Sequence, residues 1–283
     1  MGRFLLLARE RIMEGLGTRT PSPKREADHM LFVIDIGNTN TVFGLVPENG
    51  EPIYFRAHSE EEETDDSLQA KLGLFFSSKG IDVSQVDGAI LCSVVPALGA
   101  KYERILSSLF SVRVYSLGPG LKTGLPIKTD NPKEVGADLI ADCVGALSLY
   151  GPGCLIIDMG TANKVLLLDK DGCFAGCTIG AGLGLQRASL TEKTAVLPSV
   201  SLQIPNRILG KNTMDCMNSA LTYGVAFGLK GLCDGIEKEV GYPLKRILTG
   251  GYANYIAPLM EGYSFDPDLL MKGLVEIYRR NKK

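Results

Sequence analysis

The sequence predicts an α/β protein of two similar lobes, each a mixed five-stranded sheet with flanking helices. Two observations carry this. Residues 31–34 and 154–157 are continuous apolar runs of strand type, and each ends in an aspartate with the same turn chemistry behind it: Asp35-Ile36-Gly37-Asn38-Thr39 and Asp158-Met159-Gly160-Thr161. Each run also heads the same order of elements, three strands, a helix, a strand and a helix. A repeat of this length marks a duplicated domain rather than a solenoid of short units.

The elements follow in order. A short apolar run at 4–8 is too brief for a membrane span or a signal-peptide core, and Glu10 and Glu14 follow it. Residues 17–29 read as a polar linker with Pro21 and Pro23. Residues 1–29 are therefore expected to be either a flexible extension or the product of a start codon placed too early. Strands at 31–34, 41–46 and about 52–56 form a meander. A helix around 65–79 carries Leu68, Leu72, Phe75 and Phe76 at helical spacing. A strand at 89–94, a helix opening on Pro96 and a strand at 112–116 come next. Asn131 as cap, Pro132 in the first position and Glu134 behind it predict a helix from there to about Tyr150. The lobes are thus placed at 30–150 and 151–283. The second has strands at 154–157, 165–168 and 173–179, and helices at about 183–194 and 213–239. A strand at 246–248 then meets Thr249-Gly250-Gly251, and two C-terminal helices finish the chain.

Composition bounds the function. With 283 residues, 45% hydrophobic and 22% charged, the chain can build a core without disulfide or metal staples. A net charge of -2, with one basic cluster at 279–283, provides no basic face for nucleic acid. No helix-turn-helix is legible, and no apolar run is long enough for a membrane span. Seven cysteines without a Cys-x-x-Cys pair, and only His29 and His58, argue against zinc and for buried, reduced thiols in the cytoplasm.

The echoed turns point to a polyphosphate. A glycine turn leaving a strand directs backbone N–H groups outward, and Thr and Asn side chains add donors. A nearby Asp can hold Mg²⁺ through water, because that ion dehydrates reluctantly. Two such turns facing each other across a cleft can grip both ends of a triphosphate. No Walker A motif is present, so the phosphate site is not a P-loop. One Asp-x-Gly-x-Thr is ordinary turn composition; two, at matching places in a repeated pattern, are not. Thr249-Gly250-Gly251 is either a simple strand-to-helix turn or a place where adenosine meets the backbone closely.

Together with Ser93-Val94-Val95-Pro96, Asp130-Asn131-Pro132, Gly136-Ala137-Asp138, Asp158-Met159-Gly160-Thr161-Ala162 and Gly210-Lys211-Asn212-Thr213, these motifs resemble, in order and from Met30 almost to the end, the type III pantothenate kinases. That family has the actin-like (ribonuclease H-like) fold and is related to acetate kinase, sugar kinases and Hsp70. The resemblance implies ATP-dependent phosphorylation of the primary hydroxyl of pantothenate, the first step toward coenzyme A, in a homodimer whose second subunit helps close the substrate site. It implies ATP contacts from Asp35, Ile36, Gly37, Asn38, Thr39, Asn40, Thr41, Val42 and Thr161. Asp138 matches the general base, and Thr129, Gly136, Ala137, Asp138, Leu139 and Thr213 match the pantothenate site. Asp158 matches the ligand of a monovalent cation, K⁺ or NH₄⁺, and Asp35 would hold Mg²⁺ through water. A carboxylate beside the attacking hydroxyl can take its proton late in phosphoryl transfer. Near a helix N-terminus the macrodipole favours such a charge, although Asp138 also fits a solvated helix aspartate. Thr213 is either a helix cap or a contact for an anionic substrate group.

The chain departs from the family pattern on the substrate side. Leu139 stands where an Arg is usual and Thr129 where a Tyr is usual. Asn163-Lys164 and Leu166 replace Thr-Thr and an Asp. The usual Gly-Gly-x-Ile-x-Pro-Gly reads Gly176-Cys177-Thr178-Ile179-Gly180-Ala181-Gly182, with Gly184 in place of a following Arg. Three readings stay open: a pantothenate kinase with weaker binding, a kinase for another small alcohol, and a nucleotide-binding regulatory paralogue with little or no catalysis. Lys164 is either a surface strand lysine or a fixed ammonium that replaces the dissociable cation beside Asp158.

Overall fold

The runs that read as buried strands become the centres of two sheets. The structure, a computed structural model, describes residues 29–192 and 197–282. β1 (Met30–Ile36), β2 (Asn40–Pro47) and β3 (Ile53–His58) form an antiparallel meander. After α1 (Asp65–Lys79), β4 (Val86–Ser93) joins β1 in parallel, and after α2 (Pro96–Phe110), β5 (Val114–Ser116) joins β4. The order is β3-β2-β1-β4-β5. α3 (Ala137–Tyr150) leads to the second sheet. There β6 (Cys154–Met159), β7 (Ala162–Leu168) and β8 (Phe174–Ala181) repeat the meander. α4 (Leu183–Glu192), α5 (Thr213–Ser219) and α6 (Val225–Val240) precede β9 (Lys245–Thr249) and β10 (Ser264–Phe265), and α7 (Leu269–Asn281) closes the chain. Read from β8, the second order is β8-β7-β6-β9-β10, the same as the first. This is the ribonuclease H-like sheet twice over, the duplicated actin-like fold that the sequence predicts.

Three cores hold it. α1 and α2 cover the outer face of the first sheet around Phe32, Phe43, Phe75, Phe76 and Phe110. α6 and the turns after β9 cover the outer face of the second. Between the sheets lie α3 and α7, whose Val144, Leu274 and Ile277 bury against Val33 and Ile90 on one side and Ile156 and Leu166 on the other. This explains why β1 and β6 are apolar on both faces. α3 ends where Gly151 has φ 77°, while α7 returns to pack on β1 and β4. The α3–α7 crossing depends on glycine. A Cβ at Gly273 would lie 1.9 Å from Ala141 O, and one at Gly145 would lie 2.5 Å from Leu269 O. Gly273→Ala is therefore expected to force the helices apart and cost about 1–3 kcal/mol, the usual range for overpacking. A lowered urea midpoint checks this.

Several boundaries differ from the sequence reading. Pro132–Glu134 is only a 3₁₀ turn. Asn131 donates Nδ2 to Glu134 Oε1 at 2.6 Å instead of capping backbone, and α3 begins after Gly136. The expected helix 213–239 is interrupted by a π turn, Ala220–Gly224, and its cap is Asn212, whose Oδ1 accepts from Asp215 N, not Thr213. Of the two expected C-terminal helices, the first is a pair of 3₁₀ turns, Ala253–Tyr255 and Ala257–Leu259, which bring the chain round to lay β10 beside β9. Cys177 and Cys216 are exposed, the other five cysteines buried. Of the expected extension at 1–29, all but His29 lies outside the described residues, as does the predicted helix end at 194. Among the described residues no helix is long and apolar enough to cross a membrane.

Candidate active site

β1 and β6 both end at one cavity of ≈ 520 Å³ between the sheets. Each hands over to a tight turn closed through its glycine: Gly37 N donates to Asn40 O at 3.0 Å, and Gly160 N to Ala162 O at 3.1 Å. The turns confront each other, and Thr39 Oγ1 lies 3.0 Å from Thr161 Oγ1. Ser59 Oγ braces the first turn by donating to Gly37 O. Gly250, at φ 95°, braces the second: a Cβ there would lie 2.4 Å from Met159 N and 2.5 Å from Asp158 Oδ1. Only glycine lets the turn after β9 come so close.

The cavity is acidic. Asp35, Asp138, Asp142 and Asp158 all line it, with Lys164 among them. The hairpin register explains Lys164: it pairs directly across from Asp158, as Val42 pairs across from Asp35 in the first lobe. Its ammonium donates to Asp158 Oδ2 at 2.6 Å and to Asp138 Oδ2 at 2.7 Å, and its side chain is only 15% exposed. It is therefore no surface lysine. β7 is covered on both faces, so a lysine at this position points into the cleft. Asp138 is likewise no free, solvated helix residue, since Lys164 fixes one of its oxygens. Its Oδ1 lies over Gly136, where a Cβ would come within 2.5 Å.

Electrostatics follow from this packing. Burial alone would lower the Lys164 ammonium, but Asp158 and Asp138 outweigh it and hold the group above the ordinary lysine range. Burial raises Asp158, with Lys164 pulling back. Asp142, one helical turn after Asp138, is 1% exposed and neither of its oxygens has a hydrogen-bond partner. Burial, and after it the Asp158 charge, pushes its carboxyl well up. Asp35 opens partly to the cavity. Loss of hydration, then Asp138 and Asp158, pushes it up to about 7, against Lys164 and Arg56. Because the folded state holds this proton more tightly than the unfolded one, stability falls as pH rises from about 4 to about 7 and stays lower above that. Asp35→Asn should thus stabilise the ligand-free protein by about 2–4 kcal/mol at pH 8. The gain should shrink on lowering the pH to 5, which denaturant midpoints at the two pH values will read.

The wall beyond this floor is mixed. Tyr252 and Tyr255, ring centroids 6.0 Å apart, and Leu185 form an apolar side next to Gly250 and Gly251. Arg56 enters from β3. Tyr252, Tyr255, Leu185, Arg56 and Asp142 do not stand out in the sequence. The one signal for Asp142 is a second acid spaced four residues from Asp138 in an otherwise apolar helix.

Comparison with known proteins agrees with this architecture. The family model described as type III pantothenate kinase matches residues 31–235. The chain belongs to the type III pantothenate kinase family. Curated relatives include the type III pantothenate kinase of Myxococcus xanthus (strain DK1622), 35% identical over 253 residues that cover 89% of this chain and 99% of the relative. That of Halalkalibacterium halodurans is 34% identical over 89% and 100%. Among solved structures, a Campylobacter jejuni protein assigned to the Baf family of transcriptional activators superposes with TM-score 0.55 at 18% identity, covering 88% of this chain and 98% of that one. A reductive activator for a corrinoid, iron–sulfur protein superposes with TM-score 0.52 at 12% identity, covering 92% and 61%. At such identities the likeness concerns the fold alone.

Against the type III pantothenate kinase pattern, the structure gathers one part of the expected site. Asp35, Gly37, Asn38, Thr39, Asn40, Val42, Asp138, Asp158 and Thr161 share the cavity. Ile36 and Thr41 are fully buried behind the turn, with Thr41 Oγ1 2.9 Å from Ser59 Oγ. Thr129, Gly136, Ala137, Leu139 and Thr213 are not among the described residues lining the cavity. Thr129 Oγ1 is buried without a partner, Leu139 packs into the core between the sheets, and Thr213 is exposed at the start of α5.

Proposed function

We propose that the protein is a cytoplasmic kinase that transfers the γ-phosphoryl group of ATP to the primary hydroxyl of pantothenate, giving 4′-phosphopantothenate at the entry to coenzyme A synthesis. One observation carries the reading. The two glycine turns meet across the cavity, Thr39 against Thr161, above a floor that holds Asp138. In this reading the turn at 35–42 and Thr161 take the phosphates. Adenosine lies along Thr249-Gly250-Gly251, with Tyr252 and Tyr255 beside it.

Asp138 is the general base. Lys164 binds its Oδ2, which leaves Oδ1 to accept the proton of the attacking hydroxyl. The reaction needs positioning and charge neutralisation more than covalent help. Five carboxylates line the cavity against Lys164 and Arg56, and both oxygens of Asp142 are unpaired, which fits Mg²⁺ held through water; among the described residues no three acidic, His or Cys side chains converge to cage an ion directly. Asp35 and Asp142 would hold the ion, largely through water. When bound, it supplies positive charge to the phosphate oxygens. A monovalent cation at Asp158 does not fit, because the Lys164 ammonium on Oδ2 already neutralises that carboxylate and would repel a second cation beside it.

Thr129, Gly136, Ala137 and Thr213, with the backbone of Leu139, are assigned to the pantothenate side, which a second subunit would complete. Exposed Ile179, Phe227 and Leu232 on the second lobe provide apolar surface for that homodimer. The test is ADP release from ATP and Mg²⁺, with and without pantothenate, with the product identified by mass. Pantothenate-dependent release supports the reading. Release only with another small alcohol, or nucleotide binding without any release, replaces it with the second or third alternative.

A further inference from the structure

We propose that Arg56 is the clamp for the nucleotide's polyphosphate, reaching across the cleft from the first lobe to the glycine turn of the second; this rests on the ATP reading above. The sheet register places it. Arg56 pairs with Val42, and Val42 pairs with Asp35, so the three form one row across β3, β2 and β1. Residues in such a row share a face of the sheet. Arg56 therefore stands on the cleft side with Asp35, two strand spacings away, about 10 Å. That distance suits a group bound along the row with its far end at Asp35. Phe55, its neighbour in the strand, points the other way and stacks on Phe43 and Phe75 in the outer core. The backbone on which Arg56 stands is therefore anchored.

The guanidinium reaches the opposite wall. A Cβ built at Gly251 would lie 2.9 Å from Arg56 Nη1, so the guanidinium stands close over that glycine. Arg56 thus touches the turn assigned to adenosine while standing in the row that leads to the phosphate turn. A nucleotide laid between these two turns passes its phosphates beneath the guanidinium.

Charge makes the same point. An anion entering this cavity meets Asp35, Asp138, Asp142, Asp158 and Asp268. Lys164 cannot answer it, since both Asp138 and Asp158 hold its ammonium. Among the described residues Arg56 makes no hydrogen bond or ion pair; its charge is felt only through space, opposing the burial that raises Asp35 and Asp268. It is an exposed positive fork at the cavity wall with no donor committed to the described protein residues, and a planar fork suits phosphate oxygens.

The experiment compares ATP with adenosine by calorimetry on the full chain, for the unsubstituted protein, Arg56→Met and Arg56→Lys. ATP binding by the unsubstituted protein is the check on the underlying reading; if it binds no ATP, that reading fails, and this proposal with it. Given that binding, Arg56→Met should weaken ATP roughly tenfold to a hundredfold, the usual effect of one lost charge-assisted hydrogen bond, and leave adenosine unchanged. Arg56→Lys, which keeps the positive charge but not the planar fork, should recover part of the ATP affinity that Arg56→Met loses, again without changing adenosine. Equal weakening of ATP and adenosine by Arg56→Met would mean a structural role and overturn the proposal. So would unaltered ATP binding, or a rise confined to the KM of the carboxylate-bearing acceptor.

Discussion

Asp138→Asn is expected to lower kcat by roughly 10²–10⁴-fold, the usual range for a lost general base, while the fold and ATP affinity change little. The amide is nearly the same shape, and its oxygen can still accept from Lys164 in place of Oδ2. The crossing of α3 with α7 and the cavity wall stay as they are. What disappears is an oxygen able to take the hydroxyl proton. The size of the loss depends on timing. If the proton leaves late, as a loose phosphoryl-transfer transition state allows, the lower end of the range applies. Steady-state ADP release measures kcat, and a thermal scan confirms that the fold survives. Full activity in this variant would remove Asp138 from the mechanism, and the base would have to be sought elsewhere in the cavity.

What the sequence disclosed and what it hid divide along a physical line. The duplication was legible because a strand buried on both faces must be a continuous apolar run, and β1 and β6 are such runs with aspartates near their ends. The facing turns were legible for the same reason, since matched positions in matched lobes meet across the pseudo-symmetric cleft. Helix starts were less so. Asn, Pro and Glu at 131–134 satisfy the local rules for a helix start, but a 3₁₀ turn satisfies them equally well. The helix itself starts only after Gly136, whose backbone is still extended at ψ 144° and over which the Asp138 carboxylate lies.

The hidden site residues share another property: their roles exist only between elements. Arg56 on a strand reads as a solvated charge until the second lobe sets Gly251 against it. Asp142 reads as a polar interruption of a helix until two sheets bury it. Lys164 was half legible. The short turn at Gly160-Thr161 sets its register opposite Asp158, which pattern reasoning can reach. That α3 would also deliver Asp138 to the same ammonium needs the tertiary fold.

Turnover independent of K⁺ is the expected result for the unsubstituted protein, and Lys164→Ala should create the dependence that is missing. The ammonium lies 2.6 and 2.7 Å from Asp158 and Asp138, whose side chains are 11% and 17% exposed. Removing one member of such a group leaves charge buried without compensation and typically costs about 3–5 kcal/mol. The truncation also opens a space the length of a lysine side chain between two carboxylates, which a monovalent cation can enter. The variant's urea midpoint should therefore be low in a buffer of bulky organic cations and rise with added K⁺ or NH₄⁺, because an ion that binds only the folded state stabilises it in proportion to ln(1 + [ion]/Kd). The unsubstituted protein should show no such slope. Activity should follow the same pattern, since the ammonium holds Asp138 in place for the hydroxyl: lost in the variant without K⁺, partly restored with it. Lys164→Arg serves as the control. It keeps the charge but brings a planar, longer group into a space shaped for an ammonium, so it should lose activity without gaining a response to K⁺. Steep K⁺ activation of the unsubstituted protein would be the contrary result. It would mean that the lysine swings aside in the working enzyme and that Asp158 takes a dissociable ion after all.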